Sequence, residues 1–277
     1  MMPLLSPMLA VSGEPFDSGE NLFEVKWDGV RALAWVEGNQ WRVWGRDGAD
    51  YTARYPELEF LGRWPAGTLV DGELVQFQEG RPDLSALLHR HGLTGLESIR
   101  RAGRLNPVTY VVFDLVYRRH ASLCGQALSF RRHVLADLVA QYEHPQLAFS
   151  AGLTGSGREL FTAAVAQGQE GIMAKHWASR YLPGRRSSAW QKIKPTQIMP
   201  CVIIGYRPAR KGFSSLFVAA QRQGSLQYVS QLSSGLTEST KAQLAPLLVR
   251  RTCTRPVVDC SKRASGSSPI SIAAYVF

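Results

Sequence analysis

Acidic residues are missing from a long part of this 277-residue chain. Between Gly171 and Thr237 there are ten lysines and arginines and no aspartate or glutamate. Residues 1–170 carry a net charge of −4, residues 171–237 one of +10 and residues 238–277 one of +4, which together give the chain's +10. Ordinary solvated surface mixes both signs. A one-signed stretch suits a surface that faces a polyanion, the alternative being a basic face without a partner. Lysine is scarce as well: only seven of the 32 basic residues are lysine. A GC-rich genome explains that bias without function, yet four of the seven fall in the motifs below. Cysteine is rare and dispersed (Cys124, Cys201, Cys253, Cys260), with no Cys-x-x-Cys pair. This argues against structural zinc and a disulfide framework, and makes a cytoplasmic location the default. No uninterrupted apolar run is long enough to span a bilayer. The apolar stretch Met1 to Val11 lacks the basic leader and cleavage pattern of a signal peptide. With 45% hydrophobic and 19% charged residues the composition is globular.

Periodicity predicts a hairpin over Arg31 to Trp44 with a Gly38-Asn39 turn, and a short helix over Tyr55 to Leu61 entered through Pro56. It predicts a strand over Thr68 to Phe77 interrupted at Asp71-Gly72-Glu73, a helical stretch over Leu84 to Arg104 broken at Gly92, and a buried strand over Val108 to Tyr117. Helices follow over Leu128 to Tyr142 and Gly157 to Gln167, the second with Ser156 as a candidate cap. From about Lys194-Pro195 the texture turns β-rich, with strands over Cys201 to Tyr206, Leu216 to Gln221 and Leu226 to Gln231. A helix over Glu238 to Val249 comes next, then short candidates at Val257 to Cys260 and Ile270 to Val276. The expected architecture is α+β, with domains at 1–197 and 198–277, the second a small β-barrel of oligonucleotide-binding (OB) type.

Six clusters carry chemistry. Lys26-Trp27-Asp28-Gly29-Val30-Arg31 offers an amine for attack, a turn that exposes it, and an arginine to hold a phosphate. A surface hairpin with an Asp-Gly turn is the alternative. Neighbouring cations such as Lys192 and Lys194 are expected to favour the free amine. Glu24 shares a face with Lys26 if the segment is extended. Arg46 sits in Gly45-Arg46-Asp47-Gly48, which a plain hairpin end explains equally well. Asp71 and Glu73 place two carboxylates on one strand face, costly unless a metal or ribose hydroxyls use them. Phe113 suits either a core or a stacking surface. Asp114 beside it is a lone carboxylate in an apolar strand and needs a partner. In Glu170-Gly171-Ile172-Met173-Ala174-Lys175 the spacing puts Glu170 and Lys175 on opposite faces unless Gly171 bends the chain; Glu170 is a candidate Mg²⁺ ligand. Lys192 and Lys194, in Trp190-Gln191-Lys192-Ile193-Lys194, set two ammonium groups side by side, a repulsion that a triphosphate or leaving pyrophosphate relieves.

In this order the clusters resemble the covalent nucleotidyltransferases, and most closely the ATP-dependent DNA ligases; the segment Ser179 to Ser187 resembles the form in bacterial end-joining ligases. The resemblance covers about Glu24 to Lys194 and implies an adenylation domain of antiparallel sheets followed by an OB domain. It implies ATP and Mg²⁺ (or Mn²⁺) as cofactors, a Lys26-AMP intermediate, and sealing of 5′-phosphate/3′-hydroxyl nicks. Glu24 would read the adenine amino group and Phe113 would stack on the ring. Arg31 and Arg46 would contact the nucleotide or a substrate phosphate, and Lys175 the AMP phosphate. Glu73 would meet ribose and metal, with Glu170 the other metal ligand. Arg180, Arg185 and Arg186 would bind DNA phosphates. The implied partners are nicked or broken double-stranded DNA and other repair proteins. The implied protein is a monomer without membrane attachment, cytoplasmic and nucleoid-associated on DNA.

One expected feature is not found: the basic Arg-x-Asp-Lys cluster that normally closes the OB domain. Arg255 to Asp259 has the wrong spacing, and Lys262-Arg263 precedes the last strand candidate. Arg255, Lys262 or Arg263 would have to substitute, or self-adenylylation would be impaired. An RNA-ligase-like nucleotidyltransferase and a nick- or end-binding repair factor are the alternatives.

Overall fold

A computed structural model describes residues 3, 5–210, 212–248 and 270–275, with residues 197–198 and 270–275 described through their backbone alone. The chain divides into two compact units, Met1–Lys194 and Pro195–Phe277.

In the first unit β1 (Leu9–Ser12), β2 (Ser18–Val25), β3 (Val30–Glu37) and β4 (Gln40–Gly45) come first. A 3-10 helix at Pro56–Arg63 leads to β5 (Thr68–Val75), then the short β6 (Phe77–Gln78) and β7 (Arg81–Pro82). Helices α1 (Leu84–His91) and α2 (Leu96–Leu105) precede β8 (Thr109–Arg118) and β9 (Ala121–Ser122). Then come α3 (Leu128–Gln141), β10 (Leu147–Phe149), β11 (Gly152–Gly155), α4 (Gly157–Ala166), β12 (Ile172–His176) and β13 (Arg186–Ile193).

The strands form two large sheets, one in the order β1-β13-β12-β2-β11 and one in the order β10-β8-β5-β3-β4 with β9 appended to β8, and β6 pairs with β7 in a small hairpin. Most pairs are antiparallel; β1 with β13 and β10 with β8 are parallel. The two-residue period of a strand sends alternate side chains to opposite faces, and this decides the layering. On the first sheet Phe23, Ile172, Ala174 and Ile193 pack outward with Leu160 and Phe161 of α4. Their neighbours Leu22 and Trp190 point the other way, into a core shared with Leu33, Trp35, Leu69, Phe113 and Val116 of the second sheet. The second sheet's other face packs through Ala32, Ala34, Val70 and Val112 against Leu58 and Leu61 of the 3-10 helix, Leu87 of α1 and Val134, Leu135 and Leu138 of α3. The result is helix, sheet, sheet, helix.

β5 runs unbroken through Asp71-Gly72-Glu73, and the expected interruption appears instead as a register shift against β8. Helix α4 begins after Ser156, but the serine side chain makes no cap hydrogen bond there. The stretch broken at Gly92 is two helices, α1 and α2.

The second unit holds β14 (Gln197–Pro208), β15 (Phe213–Arg222), β16 (Ser225–Leu232), α5 (Glu238–Leu244) and β17 (Ile270–Tyr275). Its sheet runs β16-β15-β14-β17 around Cys201, Phe213, Leu216, Val218 and Ala220. α5 stops earlier than the expected Val249, passing into a 3-10 turn at Ala245–Leu247. Pro246 explains this, since it lacks the N–H that a continuing helix needs. Val249, Val257 to Cys260, Arg255 to Asp259 and Lys262-Arg263 lie outside the described residues, and so does the final Val276. Among the described residues no helix is long and apolar enough to cross a membrane.

Candidate active site

A cleft of about 290 Å³ opens in the first unit, lined by residues of both sheets. The first sheet supplies its floor through strand register. Met173 lies opposite both Glu24 and Lys192, and Lys175 lies opposite both Leu22 and Trp190. Directly opposed residues share a face. Glu24 on β2, Met173 and Lys175 on β12 and Trp190 and Lys192 on β13 therefore share the face that looks at the second sheet. Lys26 continues the alternation one step past β2, its backbone N–H donating to Gly171 O at 2.9 Å. From the facing sheet come Arg31 on β3, Glu73 on β5 and Phe113 on β8, with Arg46 just beyond β4.

At one end Lys26 Nζ donates to Glu170, and Lys194 Nζ pairs with the other oxygen of the same carboxylate. The bend that allows this is at Gly171, whose φ of 132° belongs to the region that favours glycine. Lys192 is held below the ordinary lysine range by burial and by the charges of Lys194, Arg186 and Lys26. Burial and the nearby Glu170 raise the Asp28 carboxyl, with Lys26 and Lys194 opposing. Burial likewise pushes the Glu73 carboxyl up to about 7, against the pull of Arg31 and Lys26.

At the other end Glu24 is buried and held by cations. Lys175 Nζ pairs with Oε1, Arg132 Nη1 donates to Oε2 at 3.0 Å, and Ser150 Oγ donates to Oε2 at 3.2 Å. Lys175 is 1% exposed, and its ammonium also lies 4.1 Å from the Phe113 ring centre and 4.4 Å from that of Trp190. Burial lowers its pKa, with Glu24 opposing. A buried ammonium needs a compensating charge, and in the cleft that Lys175 lines Glu24 provides it.

Asp71 has its own partners. It does not share duty with Glu73, because Arg31 donates to both its oxygens at 2.6 Å through Nε and Nη2, and Tyr181 OH donates at 2.5 Å. Arg31 Nη2 also donates to Met8 O at 3.2 Å, while Nη1 makes no hydrogen bond among the described residues. The partner that Asp114 required is Arg131, which donates at 2.7 Å to each of its oxygens, both side chains being fully buried. Arg180, Arg185 and Arg186 are exposed on and beside the connection between β12 and β13, and Arg186 also reaches the cleft. Sequence reading passed over Trp27, Arg131, Arg132, Ser150 and Tyr181. The adjacent Arg131 and Arg132 in an otherwise apolar helical face were the one available signal.

The donor chemistry fits a divalent cation. Glu73 and Glu170 offer hard carboxylate oxygens at the end that holds Lys26, Lys192 and Lys194. Mg²⁺ binds through one or two carboxylates plus phosphate oxygens and water. No group of three or more His, Cys, Asp or Glu gathers among the described residues, so nothing among them forms an all-protein cage.

Two facing sheets, a lysine at the mouth of the cleft and a buried glutamate at its floor define the nucleotidyltransferase domain of a ligase. Residues 7–194 match the family model of the ATP dependent DNA ligase domain, and the chain belongs to that family. It is 32% identical over 252 residues to the multifunctional non-homologous end joining DNA repair protein LigD of Mycobacterium tuberculosis, a match covering 88% of this chain and 31% of that protein. It is 32% identical over 204 residues to the SPbeta prophage-derived DNA ligase-like protein LigB of Bacillus subtilis, covering 73% of this chain and 72% of the other. The solved structure of mycobacterial DNA ligase D complexed with ATP and MES resembles it with a TM-score of 0.58 at 30% identity, over 93% of this chain and 84% of that one. The chain thus spans about a third of the length of the LigD relatives. ATP and a divalent metal are the cofactors of this family.

Proposed function

We propose that this chain is an ATP-dependent DNA ligase that seals 5′-phosphate/3′-hydroxyl nicks, and that it works in end-joining repair. One observation carries the reading: Lys26 opens into the same cleft as the buried Glu24 and the side chains of Lys192 and Lys194. ATP with its base at Glu24 and Phe113 has its phosphates beside Lys192 and Lys194, near Lys26.

The Lys26 ammonium, released from Glu170, gives up a proton to solvent and attacks the α-phosphorus as the free amine. An N–P bond forms, the bond to the β-phosphate oxygen breaks, and pyrophosphate leaves with Lys192 and Lys194 balancing its charge. A DNA 5′-phosphate then takes the AMP from Lys26, and the neighbouring 3′-hydroxyl displaces AMP to close the strand. Arg31 Nη1 and Arg46 supply donors to the nucleotide or the 5′-phosphate. Lys175 neutralises Glu24 at the base end. Glu73 and Glu170 would hold Mg²⁺ or Mn²⁺, which when bound withdraws charge from the phosphate oxygens. Arg180, Arg185 and Arg186 grip the DNA backbone.

Residues 1–197 act as the adenylation domain. Residues 198–277 act as the OB domain, a reading supported by the four-stranded sheet and the helix α5 found among the described residues. The enzyme works as a monomer on nicked or broken duplex DNA, beside other repair proteins, in the cytoplasm and on the nucleoid. Incubation with α-labelled ATP and Mg²⁺ tests the first step. Label is expected on the denatured wild-type protein and not on Lys26→Ala, followed by sealing of a nicked duplex. An unlabelled, folded wild-type protein refutes the reading, and preference for an all-RNA nick moves the substrate to RNA.

A further inference from the structure

A buried hydroxyl ties the base end of the cleft to the loop that carries Lys26. Ser150, fully buried between β10 and β11, donates its Oγ–H to Glu24 Oε2 at 3.2 Å. Ser150 Oγ in turn accepts the indole N–H of Trp27 at 3.0 Å, and Trp27 directly follows Lys26. Both backbone groups of Ser150 are engaged: its N–H donates to Val112 O at 2.9 Å and its carbonyl accepts Arg132 Nη2 at 2.5 Å. Arg132 also donates to Phe113 O at 3.1 Å. The hydroxyl is thus a fixed relay between Glu24 and Trp27.

Glu24 has little capacity left. A carboxylate offers about four acceptor sites. Lys175 takes one on Oε1, and Arg132 and Ser150 take two on Oε2. A base that donates an N–H to the remaining site completes the set. A base that presents a carbonyl there meets repulsion, and the carboxylate must shift.

We propose that Ser150 is a positioning residue that couples nucleobase recognition at Glu24 to the placement of Lys26 through Trp27. This rests on the nucleotidyl-transfer reading. Its consequence is that discrimination between a 6-amino and a 6-keto purine appears in the rate of transfer to Lys26, as well as in binding. Removing the Trp27 N–H then weakens discrimination from the far end of the relay.

Single-turnover labelling of Lys26 with ATP and with ITP tests this in wild type, Ser150→Ala, Trp27→Phe, the double variant and Ser150→Thr. The ATP-over-ITP ratio of rate constants is expected to fall about tenfold in each of Ser150→Ala and Trp27→Phe, the worth of one hydrogen bond. The double variant is expected to fall no further, because both changes cut one chain. Ser150→Thr keeps the hydroxyl and restores the ratio. Thermal melts confirm that each variant is folded. An unchanged ratio in folded Trp27→Phe, or effects that multiply in the double variant, overturns the coupling while Lys26 labelling stands. Absence of label on wild type removes both this proposal and the reading beneath it.

Discussion

Glu73 is the residue whose charge state the fold changes most usefully. Its carboxyl titrates near 7 because burial outweighs Arg31 and Lys26. A carboxylate must be ionised to take a cation, so adenylylation by wild type should rise with pH through about 7. Glu73→Gln should be slow and lose that rise, which a pH series of initial rates at fixed ATP and Mg²⁺ reads directly. Stability runs the other way. Unfolded, the group loses its proton near the ordinary value of 4.5; folded, it keeps the proton to about 7. Between those values the folded form binds the extra proton, so stability falls as pH rises, and below them nothing is lost. At roughly 1.4 kcal/mol per unit, discounted for the side chain's contact with solvent, Glu73→Gln should be about 2 kcal/mol more stable than wild type at pH 8 and equal to it at pH 4. Denaturant melts at the two pH values check this. Arg131 makes the opposite case. Arg131→Met leaves Asp114 charged and unpaired inside the protein, and should cost about 3–5 kcal/mol by the same melts.

The bend at Gly171 shows how an element sets chemistry. Its φ of 132° is unfavourable for a side chain, and a Cβ there would lie 2.1 Å from Ile193 O on the neighbouring strand. Gly171→Ala must part β12 from β13 or rotate Glu170 away from Lys26 and Lys194. A stability loss of about 1–3 kcal/mol is expected, with a larger fall in Lys26 labelling than in melting temperature. Equal labelling by a folded Gly171→Ala protein would show the bend to be incidental. Elements differed in how openly the sequence announced them. β8 is legible because Tyr110 to Val116 are buried in succession, and the β3–β4 hairpin because Gly38-Asn39 separates two apolar runs. β2 is not, since its first half, Ser18 to Asn21, is polar. Its strand state comes from pairing with β12 and β11, far along the chain. The motif residues likewise announced a site. What holds them did not: Arg132 meets Glu24 across 108 residues and Tyr181 meets Asp71 across 110, and no local pattern encodes either. The pairing of Lys175 with Glu24 likewise becomes visible only once β12 pairs with β2.

At the scale of the whole molecule the missing carboxylates of residues 171–237 become a quantity. The ten basic residues there lack acidic neighbours in sequence to neutralise them. Arg180, Arg185 and Arg186 are exposed. Each cation that neutralises a DNA phosphate releases counterions, so the logarithm of affinity falls with the logarithm of salt by about 0.9 per contact. If these three arginines each hold one phosphate, replacing all three with glutamine should flatten that slope by about 2–3. Affinity should fall at low salt for every duplex sequence tested, nicked or intact, because phosphate contacts carry no sequence information. Labelling of Lys26 by ATP should change far less, since of the three only Arg186 lines the nucleotide cleft. A salt titration of binding to a nicked duplex, wild type against the triple variant, gives the slopes. An unchanged slope would place the DNA backbone elsewhere on the chain. A flattened slope with labelling intact would separate the two halves of the chemistry, nucleotide capture in the cleft and DNA capture by Arg180, Arg185 and Arg186.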